Sequence, residues 1–312
     1  MINRRHIRIK VMQSVYAMQQ SHNEDLIREE KFLKYSINKL FDLYVLSLQL
    51  LIEVQKLAVK KAEISKKKYL ATKEELRPNT KFIDNLVIKK LAESEAFKIY
   101  LENNKINNWA EDNEYVKIIL EQLNKSALYL NYMENKEDSF KVDKTFIIDF
   151  FREIIAPNEK LAAYYEDTTI SWVDDIPFVN TWILRSLNKL KENGTFNLGK
   201  LYKDEDDEEF VSDLFRKTIL KSTKYDKDIE NKTPNWETDR IADIDLILIK
   251  LAISEFLYFP SIPNRVTINE YIELAKDYST EKSFYFINGV LDKLSKEYIE
   301  DKRSVKIGRG LL

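Results

Sequence analysis

Apolar residues return every three or four positions along most of the chain, the spacing of helices that each bury one stripe. In 4–20, Ile7, Val11, Val15 and Met18 form such a stripe. His6, Lys10, Gln13 and Gln20 fall on a polar face with Arg5 and Tyr16 on its border. Arg4 and Arg8 lie nearer the stripe and are expected to reach out from its edge. In 25–70, Leu33, Ile37, Leu40, Tyr44, Leu48 and Leu51 keep the helical period, and the lysine-rich stretch Lys56 to Lys68 reads as a solvated face. Pro78, Asn79 and Thr80 mark a break. Helices are predicted over 83–104, 112–131, 143–166 and 175–192, the third kinked or split by Pro157.

After Asn193, Gly194 and Gly199, the pattern predicts a helix over 208–225 and then a polar loop through Pro234 to Trp236. Residues 240–258 are apolar almost all round, as in a helix central to a bundle, and Pro260 and Pro263 stop it. The next helix is expected to open at Thr267. Thr267 and Glu270 have capping-box spacing, and Ile268, Ile272 and Ala275 form the inner line. A turn at Tyr278, Ser279 and Thr280 leads into a helix over 281–298 with Phe284, Ile287, Leu291 and Leu294 buried. Residues 301–312 read as a loose tail. The fold class is therefore all-α.

Composition narrows the function. Five glycines and six prolines in 312 residues are too few for a large β-protein or a doubly wound sheet. The absence of cysteine removes disulfides, thiolate metal sites and cysteine nucleophiles. Two histidines, His6 and His22, make a histidine-rich metal site or a Ser-His-Asp triad improbable. There is no phosphate loop, dinucleotide fingerprint or nucleophile elbow. The reading is a non-enzymatic protein without a cofactor or metal. Its start lacks a signal-peptide core, and its most apolar stretch carries four charges, so a cytoplasmic protein with no membrane association is expected. Net charge is −2, but Arg4, Arg5, Arg8 and Lys10 crowd the first ten residues without an acid, while Asp204 to Glu209 is wholly acidic. The basic helix suits phosphate contact. Tyr278, Lys282, Ser283, Tyr285 and Phe286, near the start of the last helix, combine free backbone donors with rings able to stack on unpaired bases.

Several segments carry a resemblance. Ile262-Pro-Asn-Arg-Val-Thr-Ile-Asn-Glu270, Ile272-Glu-Leu-Ala-Lys276, Ser283 and Phe286-Ile-Asn-Gly-Val-Leu-Asp-Lys293 resemble the signature of the NusB family of antitermination factors. Asp245 to Phe256 is similar to the family's central helix, and Arg4 to Tyr16 to its arginine-rich start. The likeness divides the chain into a basic core helix (1–20), a helical insertion (21–205), a C-terminal bundle (206–300) and the tail (301–312).

The resemblance implies NusB-like helical bundles and pairing with NusE, a small-subunit ribosomal protein. It further implies binding to boxA-type single-stranded RNA within the RNA polymerase antitermination complex. By motif position, the RNA face comprises Arg4, Arg5, His6, Arg8, Gln13, Tyr16, Tyr278, Lys282, Ser283 and Phe286, and the NusE face Asp245, Asn264 and Arg265. His6 stands where the family favours arginine, and Lys282 where it favours an acid, which shifts that position toward phosphate contact. Homodimers occur in the family and can hide the RNA face. Two rivals stand beside this reading. A NusB-like domain of an RNA methyltransferase would need a glycine-rich cofactor loop, which the chain lacks. A structural or ribosome-associated interaction protein would act through its insertion.

Overall fold

The computed structural model describes residues 1–69, 72–232 and 241–311, and among them every regular element is helical. The loop expected through Pro234 to Trp236 lies outside the described residues. The chain forms two compact units, Met1–Ile37 with Leu201–Leu312, and Asn38–Lys200, with the first boundary inside a long helix.

In the first unit, α1 (Arg4–Gln20) starts at Asn3, whose side chain accepts from the backbone N–H of His6 at 2.8 Å. α2 (Leu26–Lys66) enters this unit with its first three turns. The expected stripe of α1 is buried: Ile7, Val11, Val15 and Met18 all face the core.

The second unit closes its own aromatic core. Its helices are the rest of α2, then α3 (Leu86–Glu93), α4 (Glu95–Asn103), α5 (Asn113–Lys125), α6 (Ala127–Glu134), α7 (Phe140–Phe150), α8 (Glu159–Thr168) and α9 (Ile176–Lys189). Tyr44 stacks on Trp182 with centroids 4.4 Å apart, and Tyr132 stacks on Phe146 at 3.8 Å. Trp109 donates its indole N–H to the carbonyl of Leu46, and Trp172 to that of Lys39. The spans predicted as single helices over 83–104 and 112–131 are each broken. Ser94 and Ser126 end one helix, and their hydroxyls accept from Phe97 and Tyr129 to open the next. Ahead of Pro157 the helix widens to a π-turn over Phe151–Ile155, because proline offers no N–H and crowds the carbonyl four residues back.

The first unit is completed by α10 (Glu205–Leu220), α11 (Ser222–Glu230), α12 (Asp243–Tyr258), α13 (Asn264–Tyr278) and α14 (Ser283–Glu300). α12 packs against α1, α10, α13 and α14. It is apolar, yet it carries Glu255 with no solvent exposure. Both Glu255 oxygens are saturated. Arg8 donates from Nε to Oε1 at 2.6 Å and from Nη2 to Oε2 at 2.9 Å. The Tyr271 hydroxyl adds 2.7 Å to Oε1, and that of Thr267 adds 3.1 Å to Oε2. The four acceptor sites of a carboxylate are thus filled.

This network overturns two expectations. Arg8 reaches inward, not out from the stripe, because a buried carboxylate waits for it. Thr267 does not open α13, which begins at Asn264 after Pro263 with the fixed φ of proline at its start. Thr267 bonds Glu255 and Glu270 bonds Arg5, so no capping box forms. The buried line of α13 is Thr267, Tyr271, Leu274 and Ala275, one position off the predicted one at Ile268 and Ile272, which are half-buried. In α14, Ile287, Leu291 and Leu294 are buried as expected, while Phe284 is half-exposed.

The expected loose tail is tied down. Arg303 pairs with Asp228 at 2.8 Å, and the Ser304 hydroxyl donates to the Phe256 carbonyl. Lys306 donates to the carbonyls of Glu255 and Phe259, and Ile307 N–H to that of Pro260. Unpaired carbonyls at the C-terminus of α12 are the reason: the tail supplies their donors.

Removing either partner of Arg8–Glu255 leaves the other charge buried alone. Glu255→Ala and Arg8→Ala should each cost about 3–5 kcal/mol of stability. Arg5→Ala, at an exposed pair, should cost about 1 kcal/mol or less. Urea unfolding followed by circular dichroism checks the contrast, and equal losses would remove Glu255 from its central role.

Burial pushes the Tyr44 hydroxyl up to about 12, and burial with the neighbouring Asp112 carboxylate does the same for Tyr164. Tyr165 and Tyr132 move in the same direction, for burial first. Folded values above the unfolded one near ~10 mean that stability is fully present below that pH and is lost as pH rises through the folded values. Tyrosinate absorbance of these residues should therefore appear above pH ~11 together with loss of helical dichroism. A normal tyrosine titration with helices intact would contradict the packing described.

Candidate nucleic-acid interface

The residues expected at an RNA face divide by burial. His6, Arg8 and Ser283 are buried. Arg4, Gln13, Tyr278 and Phe286 are half-buried, and Arg5, Tyr16 and Lys282 are exposed. Burial removes Arg8 from any direct phosphate contact, since its guanidinium is held within the core. Burial alone would lower its pKa, but the charge and hydrogen bonds of Glu255 outweigh that and raise it.

The excess positive charge of the first ten residues is answered from far along the chain. Arg4 donates to Asp207 at 2.7 Å and lies over the Phe210 ring. Arg5 grips Glu270 with two bonds of 2.9 and 3.0 Å. Its pKa is raised, first by that hydrogen bond and also by the charges of Glu270, Glu273 and Asp277. Three acids separated from the arginines by about two hundred residues or more thus hold the arginines of α1. Lysines on the neighbouring helix differ: Lys282 is exposed and forms no ion pair among the described residues.

The bonds also fix which edges meet. Arg5 touches α13 at Glu270, about two turns before the turn that carries Tyr278 and Lys282. At the other end of α1, Gln20 donates to Asp243 at 2.8 Å, in the opening turn of α12. Two residues on, Asp245 accepts from Ser279 at 2.5 Å and from Ser283 at 2.7 Å. The end of α1 and the start of α14 thus each bond the opening turn of α12, at positions about 200° apart around that helix, and Tyr16 lies one helical turn before Gln20. Gln13 and Tyr16 on α1, and Tyr278, Lys282 and Phe286 around the α13–α14 turn, are the candidates left at least partly accessible.

Of the residues expected at a protein partner, Asp245 is buried and occupied by its two serines, so it is a structural anchor and offers no free carboxylate. The Asn264 side chain bonds Ser295 and Ser304. Arg265 is exposed and lines a shallow groove of about 730 Å³ with Asn3, Arg5, Val266 and Glu270. Phe284 and Tyr285 were missed as a pair: their rings lie 3.9 Å apart, Lys276 sits over Phe284, and Tyr285 is 71% exposed. The run Phe284-Tyr285-Phe286, with more rings than one buried stripe can hold, is the signal in the sequence.

Among the described residues no group of His, Cys, Asp or Glu could hold a metal ion, and no helix is long and apolar enough to cross a membrane. No solved structure matches the chain. The NusB family profile matches residues 183–296, reaching back into α9 and ending in α14. The transcription antitermination protein NusB of Salinibacter ruber is 40% identical over 112 residues, which are 36% of this chain and 70% of that protein. Its counterpart in Natranaerobius thermophilus is 42% identical over 89 residues, 28% of this chain and 64% of that protein. That of Listeria monocytogenes serotype 4a is 38% identical over 94 residues, 30% of this chain and 73% of that protein. The matched part takes in α10 to α14, the helices that surround Glu255 and carry the α13–α14 turn, and with seven-tenths of a relative's length aligned at this identity, the chain belongs to the NusB family.

Proposed function

We propose that the chain is an RNA-binding transcription antitermination factor, a long form of its family with a helical insertion over 21–205. It pairs with NusE and binds boxA-type RNA in ribosomal RNA operon transcripts, as part of the RNA polymerase antitermination complex. It is a binding factor and not an enzyme. The observation that carries this reading is the meeting of α1 and α14 at the opening turn of α12, through Gln20–Asp243 and Ser279 and Ser283 on Asp245. Segments from the two ends of the sequence are thereby anchored on one helical turn, and Tyr16 and Lys282 are exposed. Rings for unpaired bases and cations for phosphates are what single-stranded RNA recognition requires.

Within this reading the ten residues of the RNA face take two roles. Arg5, Gln13, Tyr16, Tyr278, Lys282 and Phe286 contact RNA. Arg8, His6 and Ser283 hold the helices that present them, and Arg4 does so through Asp207. Arg265 and the half-buried Asn264 form the exposed NusE contact, with Asp245 supporting the turn behind it. Few free cations face the strand, so affinity without NusE is modest and strongly dependent on salt.

The test is a filter-binding titration of boxA and a scrambled RNA at several salt concentrations, with and without NusE. Wild-type protein should prefer boxA, and NusE should tighten it. Tyr16→Ala should weaken boxA about fivefold or more if it stacks on a base. Lys282→Gln should lower the salt slope by about 0.7. Equal affinity for the two RNAs in the presence of NusE would sink the reading.

A further inference from the structure

Gly289 stands in the second turn of α14, where glycine is less favourable than alanine by about 1 kcal/mol. Three of the other four glycines have an internal reason, and Gly194 lies outside any helix. Gly199 and Gly308 adopt positive φ, 77° and 53°. At Gly310 a Cβ would fall 1.9 Å from the Pro260 carbonyl oxygen, so the tail requires glycine to pack there. Gly289 has neither reason: its φ is helical, and the space a Cβ would occupy is open. Nothing within the described fold asks for a glycine at this exposed position, whereas close approach of another molecule to the helix backbone would use one.

The surroundings identify what approaches. With successive residues about 100° apart on the helix, Tyr285, Phe286, Lys282, Lys293 and Lys296 all fall within roughly 60° of Gly289. The buried line of Ile287, Val290, Leu291 and Leu294 is on the opposite side. Before Glu300, about three turns further on, one acid touches the outward arc, Asp292 at its edge. Lys282 and Lys293 are exposed and form no ion pair among the described residues. Lys296 pairs with Asp292 at the arc's edge. Tyr285 is the most exposed ring of α14 and is backed by Phe284. A protein partner would favour an apolar centre with a mixed rim. A basic stripe of lysines and rings with a gap in its middle fits a nucleic-acid strand.

We infer that the outward stripe of α14 is a track for the RNA strand, continuing from the residues at the α13–α14 turn. A base stacks on Tyr285, the sugar–phosphate backbone crosses the helix at Gly289, and Lys282 and Lys293 hold phosphates on either side. This rests on the RNA-binding reading and adds Tyr285, Gly289 and Lys293 to it.

Gly289→Ala separates binding from folding. The alanine should leave the melting temperature unchanged or raise it by a few degrees, while boxA affinity falls severalfold because the methyl group stands in the strand's path. Tyr285→Ala should weaken RNA about fivefold or more, and Lys293→Gln should lower the salt slope by about 0.7. Unchanged RNA affinity in Gly289→Ala and Tyr285→Ala, with wild-type protein binding normally, overturns the track and leaves the proposed function standing. Unchanged RNA affinity with weakened NusE capture or an altered oligomeric state assigns the stripe to a protein and likewise overturns it. Failure of the wild-type protein to bind any RNA overturns both readings, and the wild-type arm identifies that case.

Discussion

Glu255 is a fully buried carboxylate in the last turn of an apolar helix, and the first unit is arranged around satisfying its oxygens. Moving an ion out of water costs several kcal/mol even after the protein relaxes, and attraction to a partner repays this only when the remaining lone pairs are also satisfied. Arg8 supplies a two-pronged partner whose guanidinium remains charged when buried, and Tyr271 and Thr267 supply the other two donors. Those donors come from α1 and α13, so a single side chain fixes the register of both helices against α12. A hydrophobic residue at 255 would allow either helix to slide by a turn at little cost, whereas a carboxylate with four assigned donors does not.

That constraint redistributes charge at the surface. An arginine-rich helix looks like a phosphate-binding element, but Arg8 is committed to the core, Arg4 to Asp207 and Arg5 to Glu270. Of these, only the Arg5 pair is exposed enough to open, because water and salt weaken such a pair. The positive potential for a polyanion then falls to lysines on α14 that have no acid to answer. Arginines whose forks suit carboxylates lock the fold, and flexible lysines face the solvent.

How much of this was readable in the residues depends on the range of the interaction. The stripe Ile7, Val11, Val15 and Met18 repeats within one helix and is legible because burial follows the helical period. The breaks at Ser94 and Ser126 were missed, although a serine followed by helix-forming residues is a local N-cap signal, because the apolar period continues across each of them. Arg8, Asp245 and Thr267 could not be placed from their neighbours. Their positions are decided by Glu255, Ser279 and Ser283, at separations that only the fold closes. Thr267 and Glu270 had the spacing of a capping box, and both were claimed by stronger charged partners. Local pattern located the helices that carry the candidate residues and misjudged which polar side chains stay outside.

Asp245 carries this argument to the protein partner. It lies in the opening turn of α12, where the helix dipole favours a carboxylate, and its two oxygens are taken by Ser279 and Ser283. Freeing it for an outside contact would break two charge-assisted bonds that hold the α13–α14 turn, each worth about 1.5–3 kcal/mol. The same turn presents Tyr278 and Lys282, so a partner that pulled on Asp245 would disturb the RNA contacts proposed there. A partner that docks through Arg265, at the other end of α13, leaves that turn intact. The two proposed binding roles are compatible when the acid at the head of α12 stays bonded to its serines and the arginine at the head of α13 does the reaching.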